Sequence, residues 1–190
     1  MSETQDRLFH LLVRRSRGEG RALAILEDLS TQLGLRPDSG DRVLAAVALI
    51  KTGAAPESVS SLLSWSEFEE FCARLLKASG YSVKRNIILT KPRRQIDIFA
   101  ESSGLGLSVD CKHWGRGFAP SVLERIANEQ IERTSLYKKK LALSIPILPV
   151  ILTLLDAPTR LVVGVPVVPI FVLRDFLSSV NRFEEGLEIL

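Results

Sequence analysis

Apolar positions from Tyr81 to Lys112 fall in short runs broken by turn residues, whereas on either side they recur three and four residues apart. The first pattern predicts strands over Tyr81–Leu89, Gln95–Ala100 and Leu107–Lys112. They are separated by the basic turn Lys91-Pro92-Arg93-Arg94 and by a second turn within Glu101–Gly106. The second pattern predicts a helix that ends at Gly80, with Ser66 as its cap and Glu69 three residues on in capping-box spacing. It also predicts a long helix over Pro120–Lys139. Two more strands fit within Ile147–Leu155 and Leu161–Ile170, and a closing helix runs from Leu173 to Val180. This order of elements predicts an α/β domain over residues 64–190, a central mixed sheet flanked by helices.

Residues 1–63 read differently, as short helices broken at Arg17–Gly20, Gly34–Gly40 and Gly53–Pro56. The last two, Asp41–Lys51 and Pro56–Leu63, have the length and joint of a helix-turn-helix, with Ala46, Leu49, Val59 and Leu62 available to pack between them. A small DNA-binding module and a helical brace on the main domain both fit. Eight basic and eight acidic side chains leave this segment without net charge, which favours the brace.

The segment Leu141–Leu173 is apolar enough to raise the question of a membrane. Asp156 and Arg160 split it into runs too short to span a bilayer, and Pro146, Pro149, Pro166 and Pro169 interrupt it further. Its Val and Ile content fits strands of a sheet covered on both faces. No secretory signal is expected at the start, because Arg14, Arg15 and Arg17 interrupt the apolar run there. With only two distant cysteines, Cys72 and Cys111, a reducing cytoplasmic setting is the expectation.

The whole chain of 190 residues carries a net charge of only +3. Residues 64–140, however, hold fourteen basic against nine acidic side chains. An anionic partner is therefore expected around the middle of the chain.

The chemistry gathers on the predicted strands. On 107–112, Ser108, Asp110 and Lys112 share one face while Val109 and Cys111 share the other. The preceding strand holds Asp97 between Ile96 and Ile98. A hairpin turning at Gly104–Gly106 would bring the two carboxylates together, and two facing carboxylates need a cation to coexist. Magnesium fits, as a hard ion that prefers oxygen ligands and keeps several waters. On the preceding helix Glu69 shares a face with Cys72 and Leu76 and points inward, whereas Glu70 joins Arg74 and Lys77 on a solvated stripe. Glu67 suits the helix N-terminus.

Four other groups have both a functional and a structural reading. Arg85, Lys91, Arg93 and Arg94 flank the acids and would meet backbone phosphates, or form a solvated loop. Lys138-Lys139-Lys140 more simply completes a helix C-terminus. Gln130 lies on the inward helix face with Leu123, Ile126, Ala127 and Thr134, from which it would either reach the site or satisfy the core. His113 is structural or a phosphate contact. Zinc is not expected, since Cys72, Cys111 and His113 match no known ligand spacing.

The run from Phe68-Glu69-Glu70-Phe71 through Gly80-Tyr81-Ser82-Val83 resembles the opening helix of Mrr-like restriction endonucleases. Ile96-Asp97-Ile98 and Val109-Asp110-Cys111-Lys112 resemble the acid motifs of the wider PD-(D/E)xK nuclease superfamily. The resemblance covers Ser64 to Lys140. It implies a restriction-endonuclease-like core and a DNA endonuclease with magnesium as cofactor and manganese as a substitute. It implies that Asp97, Asp110, the backbone carbonyl of Cys111 and Glu69 hold the metal. Lys112 would orient the attacking water, and His113 and Arg116 would join the basic turn on DNA. Two departures are visible: Ile96 stands where the superfamily often has Pro, and Gln95 where Mrr-like members often have Gly. A branched-DNA nuclease of the Holliday-junction type and a binding protein that has lost catalysis are the alternatives on the same fold. The closing apolar strands also offer a surface on which two copies could pair as a homodimer.

Overall fold

The computed structural model describes residues 43, 63–113, 119–180 and 186–190. The expected helix-turn-helix of residues 41–63, apart from Val43 and Leu63, and Arg116 lie outside the described residues.

Helix α1, Trp65–Ala78, opens with a reciprocal cap. The Ser64 hydroxyl accepts the Glu67 N–H at 3.2 Å, and the Glu67 carboxylate accepts the Ser64 N–H at 2.8 Å. The capping box is thus Ser64 with Glu67, not the expected Ser66 with Glu69. The shift follows from which residue is last in extended conformation, here Ser64 at φ −80°, ψ 154°. It also releases Glu69 from capping, and that side chain is buried at 6% exposure.

Strands β1 (Ser82–Leu89), β2 (Arg94–Ser102) and β3 (Leu105–Lys112) form an antiparallel meander. The β2–β3 turn is tighter than expected. Ser103 (φ 51°) and Gly104 (φ 81°) make a two-residue hairpin of the kind whose twist matches its strands. The long helix α2 (Pro120–Leu141) then crosses to β4 (Ile147–Thr153), which lies parallel to β3. The expected strand over Leu161–Ile170 divides in two at Val163-Gly164, both with positive φ. Its halves are β5 (Leu161–Val162) and β6 (Val165–Pro169), the latter parallel to β4. A 3-10 turn at Ile170–Val172 leads into α3, Leu173–Ser179. The sheet order is β1-β2-β3-β4-β6-β5.

Both sheet faces are covered. Phe68, Phe71, Cys72, Leu75 and Leu76 of α1 pack with Ile98, Val109, Cys111, Val150 and Leu152, and Leu173 of α3 joins the same core. On the other face α2 sets Ile126 and Ala127 against Ile151, Val165 and Val167, and Tyr137 against Phe99 and Ile147. The apolar segment after Leu141 is therefore sheet interior. No helix among the described residues is long and apolar enough to cross a membrane.

Candidate active site

The site lies where β2 and β3 part. Their ladder runs from Ser102↔Leu105 to Ile98↔Val109 and ends there, although β3 continues beside β4 as far as Lys112↔Thr153. The next residues along the two strands are Asp97 and Asp110. Beyond the fork the Cys111 N–H needs an acceptor, and Asp97 Oδ2 takes it at 2.9 Å. The β1–β2 ladder is interrupted at the same level, with Asn86 at φ 50° between the pairs Arg85↔Ile98 and Ile87↔Ile96.

Asp97 and Asp110 are both buried, at 7% and 1% exposure. The Asp97 pKa is raised to about 6. Burial is the main cause, the Asp110 carboxylate adds to it and Glu69 adds further; the Cys111 N–H and Lys112 work in the opposite direction. All three acids thus act on one small region. The Cys111 thiol is pushed well up, by burial and then by Cys72 beside it, so Cys111 is not a reactive thiolate.

Asp110 is held by two cations. Lys112 Nζ stands 2.8 Å from Oδ2 and Arg133 Nη1 stands 3.1 Å from Oδ1, with both basic side chains largely covered. Lys112 approaches as an ion pair outside hydrogen-bond geometry, so Oδ2 is buried without a hydrogen bond. A buried carboxylate oxygen with a free lone pair, beside a second carboxylate it repels, is a donor set suited to a small divalent cation. Among the described residues no three His, Cys, Asp or Glu side chains cluster tightly enough to enclose a metal by themselves. A site built from two carboxylates, a main-chain carbonyl and waters is consistent with that, because magnesium keeps part of its hydration shell.

Arg133 lies outside the residues to which the sequence pattern points. It lies three residues beyond Gln130 and seven beyond Ile126, so helical arithmetic places it on the inward face of α2. A long cation in that position opposite a strand acid was the available signal. Gln130, fully buried, donates from Nε2 to the Ser108 carbonyl at 2.7 Å and lies 3.2 Å from its hydroxyl. It ties α2 to the strand that carries Asp110 rather than touching the acid.

The basic residues separate into groups. Arg85 is paired with Glu70. Arg94 pairs with Glu132 at 2.9 Å. Lys91 and Arg93 are exposed on the β1–β2 turn, where the Lys91–Pro92 bond is cis. His113 is half-buried, with Nε2 3.1 Å from the Leu63 carbonyl and its ring stacked on Phe68. Lys138 ends α2 and donates to the Leu190 carbonyl at 2.8 Å.

The Mrr catalytic domain, a restriction endonuclease family, matches residues 61–134. That stretch holds α1, the meander and the first part of α2, and includes every acid of the fork. The chain belongs to the Mrr-like restriction endonucleases. Its sheet and helices are the restriction-endonuclease-like fold, with Asp97 and Asp110 at the point where the strands diverge. An uncharacterized protein of Archaeoglobus fulgidus is 30% identical over 127 residues, which are 64% of this Mrr-like chain and 95% of the relative. A crystal structure of a protein of unknown function, AF1548, is similar at 21% identity and a TM-score of 0.41. The match spans 53% of this chain and only 55% of that one.

Proposed function

We propose that this chain is a divalent-metal-dependent DNA endonuclease that hydrolyses phosphodiester bonds. The observation that carries the reading is the buried, mutually repelling pair Asp97 and Asp110 with Lys112 at 2.8 Å, at the open end of a strand fork. Pure binding has no use for such a pair in a basic region. The site residues proposed are Asp97, Asp110 and the Cys111 carbonyl for the metal, magnesium or manganese, with Glu69 reaching it through a water, and Lys112 for the reacting water.

When bound, the metal would lower the pKa of a water and offset charge on the phosphate oxygens. The protein's own groups do the rest. The Cys111 N–H fixes Asp97 in one orientation. Arg133 holds Oδ1 of Asp110, and Lys112 stands at Oδ2. Lys112 sets a positive charge where negative charge grows on the phosphate during in-line attack. The attacking water gives up a proton to solvent, its oxygen joins phosphorus as the phosphorus–oxygen ester bond breaks, and the leaving oxygen takes a proton from solvent. Lys91 and Arg93, exposed on the turn that leads into β2, would hold neighbouring phosphates. Residues 64–190 would form the nuclease domain and residues 1–63 an accessory helical region. We place the protein in the cytoplasm, in keeping with its two free, buried cysteines.

The test is cleavage of supercoiled plasmid and of a four-way junction, with magnesium or EDTA, by the wild type, Asp110→Ala and Lys112→Ala. Magnesium-dependent cutting that both variants lose is the expected result. DNA binding by the wild type without cutting, across several divalent metals, would overturn it.

A further inference from the structure

We propose that Trp65 is a stacking platform for a nucleobase beside the scissile phosphate, and that the chain therefore favours DNA in which that base is unpaired. This rests on the nuclease reading above and extends it to the kind of DNA recognised.

Trp65 is a large apolar side chain left 38% exposed. Its ring lies beside the reaction centre, because Lys112 Nζ, which contacts Asp110, stands 5.2 Å from the indole centroid. The face of the ring thus already accepts a cation. A phosphate held at Lys112 would bring its own nucleotide into the neighbourhood of that ring.

The ring is also held in place. His113 meets it edge-on at 5.2 Å and 67°, rests on Phe68 at 6.4 Å, and is tied through Nε2 to the Leu63 carbonyl. The residue before Trp65 is the helix cap Ser64, whose reciprocal bonds fix the first turn of α1. An aromatic surface fixed in advance loses little conformational freedom when a ligand stacks on it.

The chemistry of the platform selects exposure of a base over its identity. A π-face serves every nucleobase, so stacking is tolerant of sequence. In an intact duplex both faces of each base are covered by their neighbours, and reaching Trp65 requires the base to be extruded. Extrusion costs least where the base is already unpaired. The preference expected is therefore for bulged, gapped or branched DNA over a continuous duplex.

The test compares two oligonucleotide duplexes of the same sequence, one fully paired and one carrying a single unpaired adenine. Affinity is measured in EDTA for the full-length wild type, Trp65→Phe, Trp65→Leu and Arg93→Gln. The wild type is expected to bind the bulged duplex more tightly. Trp65→Leu, which keeps apolar bulk, should lose about tenfold on the bulge and little on the paired duplex, from what one base–aromatic stack contributes. Trp65→Phe should retain most of the preference, and Arg93→Gln should weaken both duplexes alike. Equal affinity of the wild type for the two, or equal loss on both in Trp65→Leu, would overturn the proposal. Thermal unfolding of Trp65→Leu separates misfolding from lost stacking. Because no cutting is measured, a bulge preference with no cutting of either plasmid or four-way junction across several divalent metals would sink the nuclease reading and keep the platform.

Discussion

Arg133 on α2 places Nη1 3.1 Å from Oδ1 of Asp110, a carboxylate with 1% of its surface exposed. The pair crosses from helix to strand and neutralises an acid that Lys112 alone approaches from the other side. Removing one partner of a buried ion pair strands the other charge in a poorly solvated place. Arg133→Gln is expected to lower stability by about 3 kcal/mol, the lower end for such pairs. Urea unfolding in EDTA measures it. Asp110→Asn combined with Arg133→Gln should recover part of that loss, and strictly additive losses would refute the coupling.

Stability should depend on pH through Asp97. Its folded pKa of about 6 exceeds the ordinary carboxyl value of 3.8, so the unfolded chain releases this proton first. Between these values the native state binds more protons than the unfolded one, and stability falls as pH rises, levelling off above about 6. A shift of that size corresponds to about 3 kcal/mol at the plateau. Asp97→Asn should flatten this part of the profile in metal-free buffer. A variant whose profile still falls with the wild-type slope would contradict the assignment.

Metal affinity should follow the same group in the opposite sense. A carboxylate must lose its proton to ligate, so manganese affinity should rise as pH climbs through about 6 and then flatten. Calorimetric titration across that window would show it. Affinity independent of pH there would remove Asp97 from the ligand set.

Arg93, exposed on the β1–β2 turn, is expected to act through phosphate charge alone. Arg93→Gln should weaken DNA binding and reduce the salt dependence of the association constant by about 0.9 in log–log slope, one phosphate contact. Single-turnover cutting at saturating protein should be unchanged. An unchanged slope would place Arg93 off the DNA path.

Gln130 tests the support of β3. Gln130→Leu removes the donor to the Ser108 carbonyl and leaves buried polar atoms unsatisfied. A loss of about 1–3 kcal/mol in stability is expected. Activity at low temperature should persist, because the side chain touches strand backbone and not the acids. Abolished cutting in a folded variant would give Gln130 a direct role.

The parts of this site that were legible in the sequence are those governed by local periodicity. Alternation along β3 set Asp110 and Lys112 on one face, and helical spacing turned Glu69 inward and Glu70 outward; burial agrees for both. The pairing of Arg133 with Asp110 leaves no local pattern in the sequence, because the two lie 23 residues apart, across a crossover. Ser64 and Ser66 are equivalent as caps by spacing, and only the backbone angles decide between them. The split of the 161–170 segment depends on two positive-φ residues, Val163 and Gly164, the first being a residue type that rarely adopts that conformation.

The two-residue turn at Ser103-Gly104 joins the strands that bear Asp97 and Asp110, so the acids are neighbours over a very short stretch of chain. Closing so small a loop is fast, whereas pairing β3 with β4 must wait for the long crossover through α2. The meander can therefore bring two repelling carboxylates together before Arg133 arrives to offset them. Refolding of the metal-free chain should then be slowed by the repulsion between them, and hastened by a divalent cation present from the outset.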